Sequence, residues 1–335
     1  MWRGNPAVGA AVTVLHRIAI LDDYQNVARD MADWDSLNME LAVFNRPFSD
    51  PSEVVSALAG FDVVVAMRER TAFPAQVLQS LTDLALLISA GPAVNAAIDL
   101  DAAHKHGITV CHTGYSFTST VELTWALILA AARNVAVESD SMRNGGWQRS
   151  VGVGLAGKTL AILGLGRIGS LVARAGQSFG MDTVAWSSNL TERRASEQGV
   201  RAVSKQELFS DADILTIHLG LGDRTRGIVG TAELHAMKPS AILVNTSRGP
   251  IVDEAALVSA LRTKTIGGAA LDVFDVEPLP ADHVLRSLPN VLLSPHLGFV
   301  TQEQYQTFYR DAVENIAAFE AGRPIRVFPE VSARS

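Results

Sequence analysis

The 335-residue sequence predicts an α/β protein built from two doubly wound parallel-sheet units. Three observations carry that expectation. Short β-rich runs alternate with helix-like segments in two separate series, and such alternation predicts parallel sheets covered on both faces. The length exceeds the roughly 250–300 residues at which a single hydrophobic core stops growing. A glycine-rich turn, GLGRIG, stands in the second series where a doubly wound sheet bends from strand into helix.

Composition bounds what the chain does. With 48% hydrophobic and 19% charged residues it reads as an ordinary globular protein. Lys and Arg total 28 against 35 for Asp and Glu, and no basic run is longer than Arg193–Arg194, so neither a nucleic-acid nor an anionic-membrane partner is expected. The most apolar stretch, VELTWALILAAA, is too short to span a bilayer and contains Glu122. The single cysteine, Cys111 in ITVCHT, allows no internal disulfide and reads as a buried core residue in a reducing, cytoplasmic compartment. The opening MWRGNPAVGAAVTVLHR lacks a sustained apolar region with a clear cleavage site, and reads as an extension before the first strand.

In the first series the strand runs are RIAILDD, FDVVVAMRE, LALLISAG and GITVCHTG, with helix-like pieces at 51–60 and 98–107 between them. STVELTWALILAAARN follows, with Ser119 and Glu122 at capping-box spacing. A helix so apolar on every side is expected to be covered on every side, between domains or between subunits. After NGGWQRS come six further strand runs, at 158–166, 182–188, 212–220, 240–247, 266–274 and 290–296, the number a doubly wound dinucleotide domain needs. The final helix, 302–322, has helical apolar spacing and ends at Gly322 before Pro324.

G-x-G-x-x-G occurs twice, at Gly152, Gly154, Gly157 and at Gly164, Gly166, Gly169. The motif binds a pyrophosphate only where a strand turns into a helix. The first copy precedes a strand and is therefore a loop. The second follows TLAIL and opens a helix whose Leu171, Ala175 and Phe179 recur at i, i+4, i+8. The residue expected to hold the adenosine ribose, about 20 residues on, is Ser187 where NAD enzymes carry a carboxylate. Ser187, Ser188, Asn189, Arg193 or Arg194 can donate to a 2′-phosphate; alternatively the two arginines only solvate the next helix. NAD and NADP both remain open.

Four strand ends carry unusual polar content: His218, Arg248, Asp272 with Glu277, and His296. The carboxyl ends of strands line the ligand crevice of an open α/β sheet, which makes these residues candidates. His296 is suited to proton exchange near neutral pH or to a purely structural role. Glu277 can fix its tautomer and raise its pKa, or simply face water. Arg248 can grip a carboxylate with its forked donors and polarise the adjacent carbonyl, or lie free on the surface. No metal site is expected, since the eight histidines are scattered and His104 and His106 would not share a helix face.

The stretches AIDLDAA, VELTWALILAAAR, ILGLGRIG, HLGLGDRTRGIVG, LVNTSRGPIVDEAALVSAL, GAALDVFDVEPLP and SPHLGFVT occur in that order. In them the chain resembles the D-2-hydroxyacid dehydrogenase family over residues 17–328. The resemblance implies a Rossmann dinucleotide-binding domain, 118–302, inserted into a flavodoxin-like substrate domain, 17–117 plus 303–328, which closes over it. It implies Arg248, Glu277 and His296 as the catalytic set. It implies a cofactor site of Gly164, Gly166, Arg167, Ile168, Gly169, Ser187, Ser188, Asn189, His218, Thr225, Thr246, Ser247, Asp272 and Gly298, with Asp272 at the nicotinamide amide. Members are usually dimers joined partly through the helix resembling 119–133.

Family members bind the substrate carboxylate with amides of a loop here reading SAGPAVNAA. Gly91 matches, Ala93 replaces the second glycine, Asn95 the aspartate and Ala96 the asparagine, and Pro92 has no amide hydrogen. Arg68, Gly91 and Pro92 are the expected substrate residues, with Arg70 also near that loop. The expected reaction is hydride transfer between NAD(P)(H) and a small 2-keto or 2-hydroxy acid, with His296 exchanging the proton. The alternative is an NAD(H)-binding regulatory or scaffold protein of the same fold without turnover.

Overall fold

The structure, a computed structural model, describes residues 15–93 and 95–328; most of the N-terminal extension lies outside them. The chain divides into two units, one of residues up to Ser116 together with those from Thr301 onward, the other Phe117–Val300.

The first unit holds five strands: β1 (Arg17–Ile20), β2 (Glu40–Val43), β3 (Val63–Met67), β4 (Leu86–Ala90) and β5 (Thr109–His112). All pair in parallel in the order β2-β1-β3-β4-β5, the flavodoxin-like arrangement. β3 and β4 are buried at every position, which is why they read as continuous apolar runs rather than alternations. β2, half-exposed at the sheet edge, has no such run, and the sequence expectation missed it. Helices α1 (Pro51–Leu58), α2 (Ala75–Ser80) and α3 (Leu100–Lys105) supply crossovers, and the C-terminal helix Gln302–Glu320 packs on this unit against β4. Cys111 is fully buried on β5, where desolvation pushes its thiol up to about 11.

The second unit begins with α4 (Thr118–Ala132) and α5 (Val135–Arg143), then alternates β6 (Thr159–Leu163), α6 (Arg167–Ser178), β7 (Asp182–Trp186), α7 (Glu192–Ser196), β8 (Arg201–Ala202), α8 (Lys205–Asp211), β9 (Ile214–Ile217), α9 (Thr231–Ala236), β10 (Ile242–Asn245), α10 (Glu254–Arg262), β11 (Gly268–Leu271) and β12 (Val291–Leu293). Its sheet is parallel in the order β12-β11-β10-β9-β6-β7-β8. That is the Rossmann order with a seventh strand; the two-residue β8 was not among the six expected runs. The direction of winding reverses between β6 and β9, which makes their carboxyl ends the switch point of the sheet.

Two local expectations are corrected. α4 starts at Thr118, so Ser119 lies inside its first turn and the expected capping box with Glu122 is not made. One face of α4 packs on α6, β10 and β11 of its own unit, while Glu122 and Ala126 are exposed within this chain. On α6 the buried face is Gly169, Val172, Ala173 and Gly176, not the Leu171, Ala175, Phe179 stripe. A Cβ on Gly176 would stand 2.6 Å from Leu160, so α6 lies too close to β6 for bulky residues, and Phe179 instead stacks outside on Trp125. Among the described residues no single helix is long and apolar enough to cross a membrane.

Candidate active site

The carboxyl edge of the second sheet collects the polar strand ends. Gly164, just after β6, has φ +104°, and a Cβ there would meet the His218 carbonyl at 2.8 Å. Gly169 allows α6 to close on β6, since its Cβ would stand 2.2 Å from the Gly164 oxygen. Gly166 caps the helix without a side-chain bond, and a Cβ added there meets nothing. One glycine for the bend, one for open approach and one for close packing is the set of roles a pyrophosphate turn demands. Gly157 of the other motif, at φ +72°, turns the chain into β6.

The remaining nucleotide candidates divide. Arg167 lies over the Phe117 ring at 5.3 Å, whereas Ile168 packs into the core. Ser187, Ser188 and Asn189 form a tight turn after β7, Ser187 half-buried and the other two exposed, closed by the Leu190 amide on the Ser187 carbonyl. Arg193 points to solvent beside Glu197 at 3.9 Å. His218 bonds Thr216 through Nε2 at 2.9 Å, and burial pushes its pKa down to about 3, so the ring is neutral. Thr225 is turned inward: its hydroxyl donates to the Gly220 carbonyl at 2.7 Å and accepts from the Gly222 amide, stapling its own loop. Thr246 is buried against Thr124, and the Ser247 hydroxyl donates to the Leu219 carbonyl.

Arg248, Glu277 and His296 come from three adjacent strand ends and are connected by bonded or touching atoms. Asn245, at the end of β10, folds its amide back on the Arg248 turn: Nδ2 donates to the Arg248 carbonyl at 3.0 Å and Oδ1 accepts from the Ser247 amide. Gly249 then presses on the loop after β11 so tightly that a Cβ would lie 2.1 Å from the Phe274 carbonyl carbon. The Phe274 amide donates to Glu277 Oε1 at 2.8 Å, and Glu277 Oε2 meets His296 Nδ1 at 2.5 Å. Nδ1 is thereby committed to the carboxylate. His296 has φ +55°, an uncommon backbone conformation for a non-glycine, and its ring meets Phe299 edge-on.

Asp272, fully buried at the end of β11, holds that strained loop. Its Oδ1 accepts from Ser294 Oγ at 2.6 Å and the Leu297 amide at 2.8 Å, and Oδ2 from the Gly298 amide at 2.9 Å. Burial raises its pKa and outweighs these bonds, which pull the other way. Sequence reasoning found Asp272 but not the groups that cooperate with it: Asn245, Gly249 and Ser294. Gly249 sits in a plain Gly-Pro, and nothing local signals a clash with residues 25 positions away.

In the other unit, Arg68 and Gly91 lie together at the ends of β3 and β4. A Cβ on Gly91 would meet the Arg68 guanidinium at 2.3 Å; that guanidinium lies 3.5 Å from Glu69 and 5.0 Å over the Tyr115 ring. The Gly91 amide, however, donates to Thr113 Oγ1 at 2.8 Å, so it is committed internally rather than offered to a carboxylate. Pro92 is half-buried beside it. Asn95 is a latch, its Nδ2 donating to the Arg68 carbonyl and to Ser89. Arg70 donates to the Asp22 carbonyl at 2.7 Å and lies over Tyr24.

Residues 125–298 match the family model "D-isomer specific 2-hydroxyacid dehydrogenase, NAD binding domain". The chain is 46% identical over 236 residues to the glyoxylate reductase of Aeropyrum pernix, covering 68% of this chain and 70% of that one. It is 38% identical over 268 residues to the D-3-phosphoglycerate dehydrogenase of Bacillus subtilis, covering 79% of this chain but only 50% of that longer protein. Among solved structures, the phosphoglycerate oxidoreductase of Vibrio cholerae superposes with a TM-score of 0.88 at 39% identity, over 92% of this chain and 100% of that one.

Proposed function

The chain belongs to the D-isomer specific 2-hydroxyacid dehydrogenase family, and on that premise we propose that it reduces a small 2-keto acid to the D-2-hydroxy acid with NADH or NADPH, and oxidises it by the same path backwards. The observation that carries the reading is the continuous contact from the Arg248 turn through Gly249, Phe274 and Glu277 to His296. A pure nucleotide binder has no use for an imidazole oriented by a carboxylate.

The Gly164–Gly169 turn, with open space at Gly166, fits a pyrophosphate at the start of α6, and Ser187 suits the adenosine ribose or its 2′-phosphate. The bound nicotinamide supplies the hydride that adds to C2. Arg248 grips the substrate carboxylate and polarises the keto oxygen. His296, protonated on both nitrogens, delivers the Nε2 proton to that oxygen as negative charge develops, and Glu277 stabilises the imidazolium while fixing its orientation. Asp272 positions His296 and offers its second oxygen, Oδ2, to the carboxamide. Residues 118–302 take the dinucleotide role and 17–117 with 303–328 the substrate role.

Glyoxylate, the substrate named for the Aeropyrum relative, heads the candidate acids. The absence of a carboxylate at Ser187 removes repulsion against NADPH. A homodimer is proposed through the apolar groups left open along α5 and the following arm: Val135, Val137, Met142, Trp147, Val151 and Val153, of which Val151 is 96% and Trp147 69% exposed. Light scattering checks it.

The deciding experiment is a 2-keto-acid panel run separately with NADH and NADPH on the wild type and His296→Gln. Turnover is expected to collapse in the variant, by about 10²–10⁴-fold, with cofactor affinity nearly unchanged. Parallel loss of turnover and cofactor affinity would overturn the role of His296.

A further inference from the structure

α4 places two threonines on its buried face, and their hydroxyls meet groups of the loops after β12 and β10. Thr120 is 5% exposed and Thr124 fully buried. Thr120 Oγ1 donates to the Gly298 carbonyl at 3.0 Å, and the Gly298 amide donates to Asp272 Oδ2 at 2.9 Å. The Gly298 residue, two beyond His296, is thus held through its carbonyl by α4 and through its N–H by β11. Thr124 Oγ1 donates to the Thr120 carbonyl one turn back at 2.7 Å, and lies 2.8 Å from Thr246 Oγ1. A hydroxyl has one proton. With Thr124's proton spent on its own helix, the Thr246 hydroxyl is the donor in that pair, and Thr246 faces the β10 loop only with lone pairs. Two residues after Thr246 comes Arg248.

We propose that Thr120 and Thr124 are positioning residues that fix the His296 loop and the Arg248 loop to one rigid helix, and so set the spacing between proton donor and carboxylate anchor. The inference rests on the reading of Arg248 and His296 as the reacting groups. Neither threonine touches the acid. Both act through Gly298 and Thr246, which is why they look like ordinary small core residues in the sequence. Their direct neighbours are satisfied by these bonds, so removing one hydroxyl frees a carbonyl at Gly298 or a hydroxyl at Thr246 in a buried place, and each freed group finds a new partner only by moving its loop.

The experiment compares Thr120→Val, Thr124→Val and the double valine variant, which keep the shape but not the hydroxyl, with Thr120→Ser and Thr124→Ser, which keep the hydroxyl. Steady-state turnover of glyoxylate, NADH and NADPH affinity, melting temperature and backbone hydrogen exchange are measured on each full-length protein. The double valine variant is expected to lose about tenfold or more in kcat, in line with the cost of sub-ångström misplacement of reacting groups. KM should change less than kcat, and the serine variants should stay within about threefold of wild type on the same reasoning. Exchange should quicken in peptides covering 294–300 and 245–249 without a matching rise elsewhere. Unchanged kcat and exchange in a folded double valine variant overturns the proposal. So does equal loss in the serine and valine variants, which would make the role one of packing. If the wild type turns over no acid, the parent reading fails, while the exchange comparison still decides whether the two hydroxyls hold the loops.

Discussion

Gly249→Ala alters no chemical group, yet it tests whether the active site depends on the contact between two strand-end loops. The added Cβ would lie 2.1 Å from the Phe274 carbonyl carbon, 2.3 Å from its oxygen and 2.6 Å from the Asp275 nitrogen. All three are backbone atoms, so no side-chain rotation relieves the clash. Carbon atoms prefer about 3.5–4.0 Å, so the Arg248 turn and the Phe274–Glu277 segment must part by roughly 1 Å or more. The segment carries Glu277 on the Phe274 amide and His296 on Glu277, and therefore moves with them. Overpacking of this kind costs about 1–3 kcal/mol of stability, while a displacement near 1 Å between reacting groups costs about 10²-fold in turnover. Expected, then, is a protein that melts a few degrees lower, binds NADH at the distant glycine turn as before, and has kcat reduced about a hundredfold. Steady-state kinetics with glyoxylate, nucleotide fluorescence titration and a thermal melt read the three quantities. A Gly249→Ala protein with wild-type kcat would refute the reasoning, as would one whose loss lies wholly in nucleotide affinity.

Two further outcomes follow from the site. His218 is held neutral by burial with a pKa near 3, so below about pH 6.5 the unfolded ring takes up a proton that the folded ring does not. The stability this contributes is complete above pH 6.5 and is lost as pH falls toward 3, at up to about 1.4 kcal/mol per unit; urea melts of His218→Gln should therefore be flatter than wild type by about 1–2 kcal/mol between pH 6.5 and 5, and parallel curves would contradict it. Placing a carboxylate in the turn after β7 with Ser187→Asp should weaken NADPH by about tenfold or more through repulsion of the 2′-phosphate and favour NADH, as competition titrations would show; equal effects on both nucleotides would place the ribose elsewhere.

What the sequence made legible was whatever is constrained locally. The pyrophosphate turn is one such case, because bend, approach and helix packing each require glycine within six residues. The buried strands β3, β4, β6 and β9 were visible as largely apolar runs, whereas β2 and β8 are short edge strands that lack that signature. The helix after the glycine turn was read on its bulky residues, but close contact with β6 selects the small ones. Arg248, Glu277 and His296 stood out as polar residues at strand ends, with their roles coming from resemblance; Gly249, Asn245, Thr120 and Thr124 did not stand out, because their roles consist of contacts with chain remote in sequence. The Gly91 amide shows the converse, a matched motif position whose donor is already spent on Thr113.

The order of strands also lines up the proposed site residues of the second unit along one sheet edge. Along it stand, in spatial sequence, Ser187 after β7, Gly164 after β6, His218 after β9, Arg248 after β10, Asp272 and Glu277 after β11, and His296 after β12. Strands lie about 4.8 Å apart, so Arg248 begins about 10 Å from the glycine turn and the His296 loop about 19 Å from it. An extended dinucleotide with its adenosine end at Ser187 and its pyrophosphate at Gly166 would run toward β10 and present its nicotinamide where the Arg248 turn starts. The acid would then lie one strand further on, between anchor and proton donor. Along that line Ser187 alone stands out of chain order, since β9 lies on the other side of β6 from β7. On the proposed reading, the crossover that opens the crevice for the pyrophosphate would also lay Arg248, Glu277 and His296 on the nicotinamide side of it.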